Sequence, residues 1–293
     1  MWVFLHDRFV REEEALISVF DHGFLYGDGV YETIRSYGAR IFMLDQHLSR
    51  LYRSAEAIGL DIPIPRAEWP ALLHEAMDRN KVGHVRADAY LRVTISRGEG
   101  DIGLDPALCK RPTVVIMAKQ LAPQPEEQYR EGVSLTIART KRNLPEALSP
   151  HIKATNFLNN ILAKREAIAA GTFDSILLNW RDELAECTVS NLFFFKQNTL
   201  CTPALECGIL DGITRNIALL LAAEAGFHPQ EGRYAVSDLV NADEAFLTNT
   251  SMEIMPVTRI GGAPVGKGVP GPRTCRLRTL FAQNRERFLE PAE

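Results

Sequence analysis

Tyr26-Gly27-Asp28-Gly29-Val30-Tyr31-Glu32-Thr33-Ile34-Arg35-Ser36-Tyr37 reads as a glycine-punctuated turn running into a strand. Side chains along a strand alternate, so Tyr31, Thr33, Arg35 and Tyr37 share one face while Val30, Glu32, Ile34 and Ser36 share the other. The first face is too polar and aromatic for a dry core. It suits solvent or a binding pocket.

Toward the amino terminus, residues 2–5, 9–10 and 16–19 read as short strands separated by charged residues. Downstream, Asp45 is placed to cap a helix whose apolar positions Leu48, Leu51, Tyr52, Ala55 and Ile58 recur at threes and fours, with Gly59 just past its end. A second helix over 66–80 repeats the pattern with Trp69, Leu72, Leu73 and Met77, and β-rich runs at 89–96 and 113–118 close an α/β unit. The stretch 119–127 combines two prolines with polar residues, as exposed linkers do. The expected division is a small α/β domain over 1–118, a linker over 119–127 and a larger β-rich α/β domain over 128–293 that carries Lys153. In that second half, strands are expected at 133–138, 176–178, 191–196, 200–201, 245–248 and 254–260, with Glu186 on a further one. Helices are expected at 155–170 and after Asp211, a hairpin turn at Gly261-Gly262, and a helical tail beyond Arg273.

Bulk composition narrows the function. With 46% hydrophobic and 24% charged residues over 293 positions, the chain is an ordinary globular protein. A formal charge of -4 leaves no excess of Lys or Arg for a nucleic-acid backbone or an anionic membrane, so small molecules are the expected partners. The cysteines (Cys109, Cys187, Cys201, Cys207, Cys275) are odd in number, widely spaced and without a CxxC pair, which argues against a disulfide framework and a zinc site and fits a reducing cytoplasm. No His pair has ligand spacing, no Gly-x-Ser-x-Gly elbow occurs, and neither an export signal nor a membrane span is read.

Lysines are scarce: Lys81, Lys110, Lys119, Lys141, Lys153, Lys164, Lys196 and Lys267. A lysine that forms an imine must sit desolvated and on a rigid edge. Lys153 fits best, ahead of the helix carrying Phe157, Leu158, Ile161 and Leu162, although spacing alone favours a solvated lysine at a helix start.

The surrounding words decide. Ser18 to Glu32 (SVFDHGFLYGDGVYE), His47-Leu48-Ser49-Arg50-Leu51, Lys153 to Asn160 with Ala163-Lys164, Ala185 to Phe193 (AECTVSNLF), Gly212-Ile213-Thr214-Arg215 and Ala242-Asp243-Glu244 follow one another in order. Together they resemble the class IV, fold-type IV enzymes that use pyridoxal 5′-phosphate (PLP): branched-chain aminotransferases, D-amino acid aminotransferases and aminodeoxychorismate lyases. The resemblance runs from about 4 to 262. It implies a mixed α/β (α+β), two-domain fold, and a cytoplasmic homodimer whose 97–105 loop reaches a neighbour's pocket.

By the same resemblance, Lys153 is the Schiff-base lysine and the shuttle for the substrate α-proton, and Glu186 pairs with the ring nitrogen. Ile213 and Thr214, at a helix opening where an anion is favoured, would hold the cofactor phosphate together with Thr250 and Arg50. Arg50 is otherwise one charge on a helix that also carries Arg53. Tyr31, Thr33, Arg35, Tyr90, Arg92 and Ser251 would line the substrate pocket; an Arg and a Tyr on one strand face suit a carboxylate.

Within the family the signals divide. Tyr90-x-Arg92 and the stretch 97–106 are similar to branched-chain aminotransferases and imply transfer between branched-chain L-amino acids and 2-oxoglutarate. Tyr31-Glu32 and Leu158 are similar to D-amino acid aminotransferases, whereas Thr33, Asn249 and the run 188–195 are similar to aminodeoxychorismate lyases, which release pyruvate. A PLP-binding protein without turnover is the remaining alternative.

Overall fold

The computed structural model describes residues 1–84 and 87–291. The chain separates into two units: Met1–Ala122, Ile152–Asn156 and the segment from Arg287 form the first, and Pro123–His151 with Phe157–Glu286 the second.

The first unit contains β1 (Trp2–Leu5), β2 (Arg8–Arg11), α1 (His22–Tyr26), β3 (Gly29–Tyr37), β4 (Arg40–Ile41), α2 (Leu44–Ala57), α3 (Trp69–Asn80), β5 (Ala89–Ser96) and β6 (Thr113–Gln120). Its strands make one six-stranded sheet in the order β2-β1-β6-β5-β3-β4. Alternation sorts the two faces as expected: Val30, Ile34, Leu91, Val93 and Ile95 are buried among Leu48, Leu51, Trp69 and Leu73 from α2 and α3. Tyr31, Thr33, Arg35, Tyr90 and Arg92 occupy the other face.

Local details differ from the sequence reading where tertiary contacts override local pattern. Residues 16–19 form no strand and join no sheet; Leu16 and Val19 are 75% and 63% exposed, so the apolar run packs no face into the core that would hold it as a strand. The residue that opens α2 is Met43, in the left-handed region at φ 53° without a side-chain cap, while Asp45 lies inside the first turn, where its charge favours the helix dipole. The backbone N–H of Met43 donates to the Phe288 carbonyl at 2.9 Å. The same late segment is tied down at Glu290: its carboxylate takes the Ile41 N–H at 2.9 Å and the His74 imidazole at 2.7 Å, and its carbonyl takes two N–H groups of Arg40.

The second unit contains α4 (Glu126–Glu131), β7 (Val133–Ile137), α5 (Leu158–Ala169), β8 (Asp174–Leu178), β9 (Leu184–Cys187), β10 (Asn191–Lys196), β11 (Thr199–Pro203), α6 (Ile213–Glu224), β12 (His228–Gly232), α7 (Val236–Val240), β13 (Glu244–Asn249), β14 (Glu253–Ile260), β15 (Ala263–Pro264) and α8 (Pro272–Asn284). Eight strands run in the order β12-β11-β10-β13-β14-β7-β8-β9, and β15 pairs with β14. Opposed residues Phe193 and Phe246 stack with ring centroids 4.8 Å apart at the centre. Gly261 and Gly262 both have positive φ, 55° and 85°, the backbone a two-residue hairpin turn requires.

Of the stretch 119–127, Lys119 and Gln120 continue β6 by pairing with Tyr90 and Ala89, and α4 begins at Glu126 behind Pro125. The helix expected from 155 starts at Leu158. Thr155 is withheld from it: its N–H and hydroxyl donate to the Gly29 carbonyl, and the hydroxyl also donates to that of Gly27, keeping Ile152–Asn156 with the first unit. Lys153, read from sequence as part of the second domain, therefore belongs to the first unit.

α8 has no cap of its own at Gly271. The buried Glu244 carboxylate supplies one, accepting the Thr274 N–H and hydroxyl at 2.8 Å each and the Arg273 N–H at 3.2 Å. Replacing it (Glu244→Ala) should cost about 1–3 kcal/mol by orphaning these donors. A urea midpoint equal to that of the wild type would show that the cap is dispensable.

Candidate functional site

In the first unit, β3 and β5 pair with Tyr31 opposite Thr94, Thr33 opposite Arg92 and Arg35 opposite Tyr90, so all six side chains stand on one face. The expected substrate residues of these strands are thus brought together. Thr33 Oγ1 and the Tyr90 hydroxyl are 3.4 Å apart. The two arginines differ in their surroundings. Asp88, which sequence reasoning passed over, takes Arg35 in a fork at 3.1 and 2.6 Å, and the guanidinium packs 4.3 Å from the Tyr37 ring centroid. Arg92 lies 4.1 Å from the Tyr31 ring centroid and, among the described residues, meets no carboxylate. Arg35 is therefore charge-balanced within the protein, and Arg92 is the cation of this face suited to an anionic ligand.

Lys153 is stitched to the same sheet. Its carbonyl accepts the Tyr31 N–H at 3.0 Å, its N–H donates to Ser54 Oγ of α2 at 3.1 Å, and Ala154 bridges Val30. Its Nζ stands 4.5 Å from the centroid of the Tyr31 ring, so lysine and Arg92 both contact that tyrosine. Burial raises the Tyr31 phenol above its ordinary value and keeps it protonated as a hydrogen-bond donor. Toward the Thr94 end of the face lies a cavity of about 300 Å³ lined by Ile17, Val19, Phe24, Thr94, Val115 and Thr155.

The opposite side of β3 carries a buried charge cluster. Glu32, fully buried, takes Arg50 Nε and Nη2 at 2.7 and 2.9 Å and His47 Nδ1 at 2.8 Å. Arg50, expected at the cofactor phosphate, is thus forked onto a carboxylate. An acid on the Val30/Ile34 side of an alternating strand was the signal for this cluster, since only a paired charge can occupy such a position.

In the second unit, Glu186 lies on β9, nearly buried. Arg142 Nε donates to its Oε1 at 2.9 Å, while Oε2 takes the Leu210 N–H at 2.9 Å and Asn191 Nδ2 at 3.4 Å. Asn160, in the first turn of α5, ties that helix to the strand end by donating to the Thr188 carbonyl at 2.6 Å. Ile213 and Thr214 open α6 behind Gly212, with no side-chain cap on their N–H groups. Glycine is required there: a Cβ would lie 2.0 Å from Asn191 Oδ1. Thr250 and Ser251 form the turn between β13 and β14, which Asn249 closes by accepting the Ser251 and Met252 N–H groups at 3.0 and 2.8 Å.

The Glu32 cluster generates a pH prediction. Burial raises the Glu32 carboxyl, but Arg50 and then His47 outweigh it, leaving Glu32 far below the usual carboxylate range. Burial, aided by Arg50 and Lys153, pushes the His47 imidazole down against the pull of Glu32. Groups depressed in the folded state stabilise it above their unfolded values, 6.5 for the imidazole and 4.5 for the carboxyl, and that stabilisation is lost as pH falls below each. Glu32→Gln should lose about 3–5 kcal/mol at neutral pH because Arg50 is left buried without its counter-charge. Its stability should also fall less steeply than that of the wild type below pH 4.5, as denaturant titrations across the acid range would show.

Comparison with known proteins agrees with this arrangement. Residues 29–260 match the family model described as amino-transferase class IV. A protein of Methanocaldococcus jannaschii, provisionally named a branched-chain-amino-acid aminotransferase, is 38% identical over 98% of both chains. The D-alanine aminotransferase of Bacillus licheniformis is 36% identical over 96% of both, and the aminodeoxychorismate lyase of Bacillus subtilis 35% identical over 95% of this chain and 93% of its own. Among solved structures, a branched-chain amino acid aminotransferase complexed with N-(5′-phosphopyridoxyl)-L-glutamate superposes with a TM-score of 0.92 at 30% identity, covering 99% of this chain and 97% of that one. The branched-chain aminotransferase of Thermoproteus uzoniensis with norvaline superposes with a TM-score of 0.89 at 32% identity, covering 99% of both chains. The chain belongs to the class IV aminotransferases, with a fold-type IV architecture.

Proposed function

We propose that this aminotransferase uses PLP held on Lys153 to move amino groups between branched-chain or other aliphatic L-amino acids and 2-oxoglutarate. The observation that carries the reading is the Lys153 amine held over Tyr31 on a sheet face that also presents Thr33, Tyr90 and Arg92. The residues present fit the cofactor. α6 opens on uncapped N–H groups, and Glu186 is a nearly buried acceptor.

When bound, PLP would supply the electron sink that lets the substrate Cα–H bond break. Lys153 would carry the cofactor and, once displaced by substrate, take the α-proton on Nζ and return it. Glu186 would accept a hydrogen bond from the ring nitrogen. Ile213 and Thr214 would offer backbone N–H groups to the phosphate, with a hydroxyl from Thr250. Arg50, balanced by Glu32, would give that phosphate a hydrogen-bond donor with little net charge. Arg92 and Tyr90, aided by Thr33 and Ser251, would hold the substrate carboxylates, and Tyr31 would wall the site between Arg92 and Lys153. Arg35, held by Asp88, would shape the pocket wall. The branched-chain relative bound to a phosphopyridoxyl-glutamate adduct supports the glutamate/2-oxoglutarate couple.

The test is a scan of single amino acids of each hand with 2-oxoglutarate. Turnover of L-leucine, L-isoleucine and L-valine is expected. Turnover of D-alanine alone, or pyruvate release from aminodeoxychorismate without an amino acceptor, would replace this reading with one of the two sister activities; bound PLP with no turnover would leave a binding protein. Lys153→Ala should abolish both turnover and the chromophore that borohydride fixes to the wild-type chain. Retained turnover in that variant would sink the assignment.

We also infer a homodimer in the cytoplasm. Its support is the exposed apolar side chains of the first unit, among them Phe24, Ile102 and Leu104 at 72%, 76% and 83% exposure, with Tyr26 accepting the Gly103 N–H at 3.1 Å. A second copy would cover this set, with the 97–105 loop reaching the neighbour's pocket. Leu104→Asp should shift the sedimenting species toward monomer, and a wild-type protein that sediments as a monomer would refute the assembly.

A further inference from the structure

Arg142 stands outside every role assigned above, yet it touches the acid expected behind the cofactor ring. Its Nε donates to Glu186 Oε1 at 2.9 Å, with both side chains more than nine-tenths buried. The rest of the residue is fixed. Its Nη1 donates to Asn159 Oδ1 at 3.1 Å, Asn159 is itself held by the Lys141 carbonyl at 2.7 Å, and the Arg142 N–H donates to the Leu178 carbonyl at 2.8 Å. With its backbone anchored and its guanidinium held at both Nε and Nη1, the side chain is kept against the carboxylate it meets.

A carboxylate offers about four acceptor positions. On Glu186, Oε2 receives the Leu210 N–H and Asn191 Nδ2, and Oε1 receives Arg142. Among the described residues, the remaining acceptor position is thus on Oε1, the oxygen that Arg142 also holds. Resting on the PLP reading, we propose that Arg142 is a positioning residue which aims Oε1 at the cofactor's ring nitrogen and biases the proton shared by that pair onto the nitrogen. The reason is distance. A guanidinium in contact with Oε1 favours an ionised carboxylate more strongly than it disfavours a cation on the far side of that carboxylate. Without Arg142, no cation among the described residues touches Glu186, the preference of the shared proton for the nitrogen is lost, and the ring's capacity to draw electrons from the substrate carbon falls.

The experiment uses holoenzyme reconstituted with PLP carrying 15N at the ring nitrogen. Its 15N resonance reports the protonation of that atom directly, without turnover. Wild type and Arg142→Lys, which keeps the charge, should resonate at the pyridinium position. Arg142→Met should shift to the free-base position and lose transamination in kcat more than in KM. A pyridinium resonance in Arg142→Met would overturn the proposal. If that variant loses its cooperative melting transition, Arg142→Gln, which keeps a donor but no charge, decides by the same two positions. A wild-type chain that binds no labelled PLP at Lys153 would instead be a failure of the cofactor assignment, distinguishable because it precedes any effect of Arg142.

Discussion

Two hydrogen bonds fix the main chain of Lys153: the Tyr31 N–H donates to its carbonyl, and its own N–H donates to Ser54. A lysine side chain is long and carries about 2 kcal/mol of rotamer entropy, so its amine is placed only as well as its backbone is held. Here the backbone runs along β3 itself, reinforced by the Thr155 hydroxyl on the Gly27 and Gly29 carbonyls. The amine consequently meets Tyr31, a residue of the strand that anchors it, and the polar sheet face is organised around that contact.

The strand must in turn be rigid, and its reverse side shows how that is achieved. Val30 and Ile34 pack into the core under α2, and Glu32 between them binds two side chains of that helix, Arg50 and His47. A buried ion pair adds little net stability against an apolar replacement, but it tolerates only one register of strand against helix. A one-residue slip of β3 would bring Tyr31 and Thr33 into the core and Glu32 onto the ligand face. The second unit treats its key acid similarly. Glu186 is surrounded by donors from Arg142, Asn191 and Leu210, so its orientation is set before any ligand arrives.

Much of this was legible in the order of residues. Alternation along 30–37 and 89–96 separated the wet face from the dry one because a strand's period of two leaves no intermediate choice. The α2 and α3 helices followed from three-and-four spacing, and the family resemblance supplied the fold. What stayed hidden depends on partners distant in sequence. Nothing near position 16 tells that Leu16 and Val19 will stay outside the core, and nothing near 155 announces that a threonine hydroxyl will be claimed by carbonyls at 27 and 29. Asp88 and Arg142 carry no local mark either; each is defined by the one ion it meets. Whether Arg35 or Arg92 is balanced within the protein could be read only from three-dimensional neighbours.

The interleaving of the chain has a consequence for biosynthesis. The first unit recruits Ile152–Asn156 and then, from Arg287 onward, a segment whose Phe288 and Glu290 tie up the start of α2 and the β4 edge. During vectorial synthesis the sheet of this unit can assemble early, but its helix start and edge stay unsealed until Phe288 and Glu290 leave the ribosome. The nascent first unit must therefore wait, incomplete, while the whole of the second is translated, and neither unit is recoverable as a single contiguous fragment.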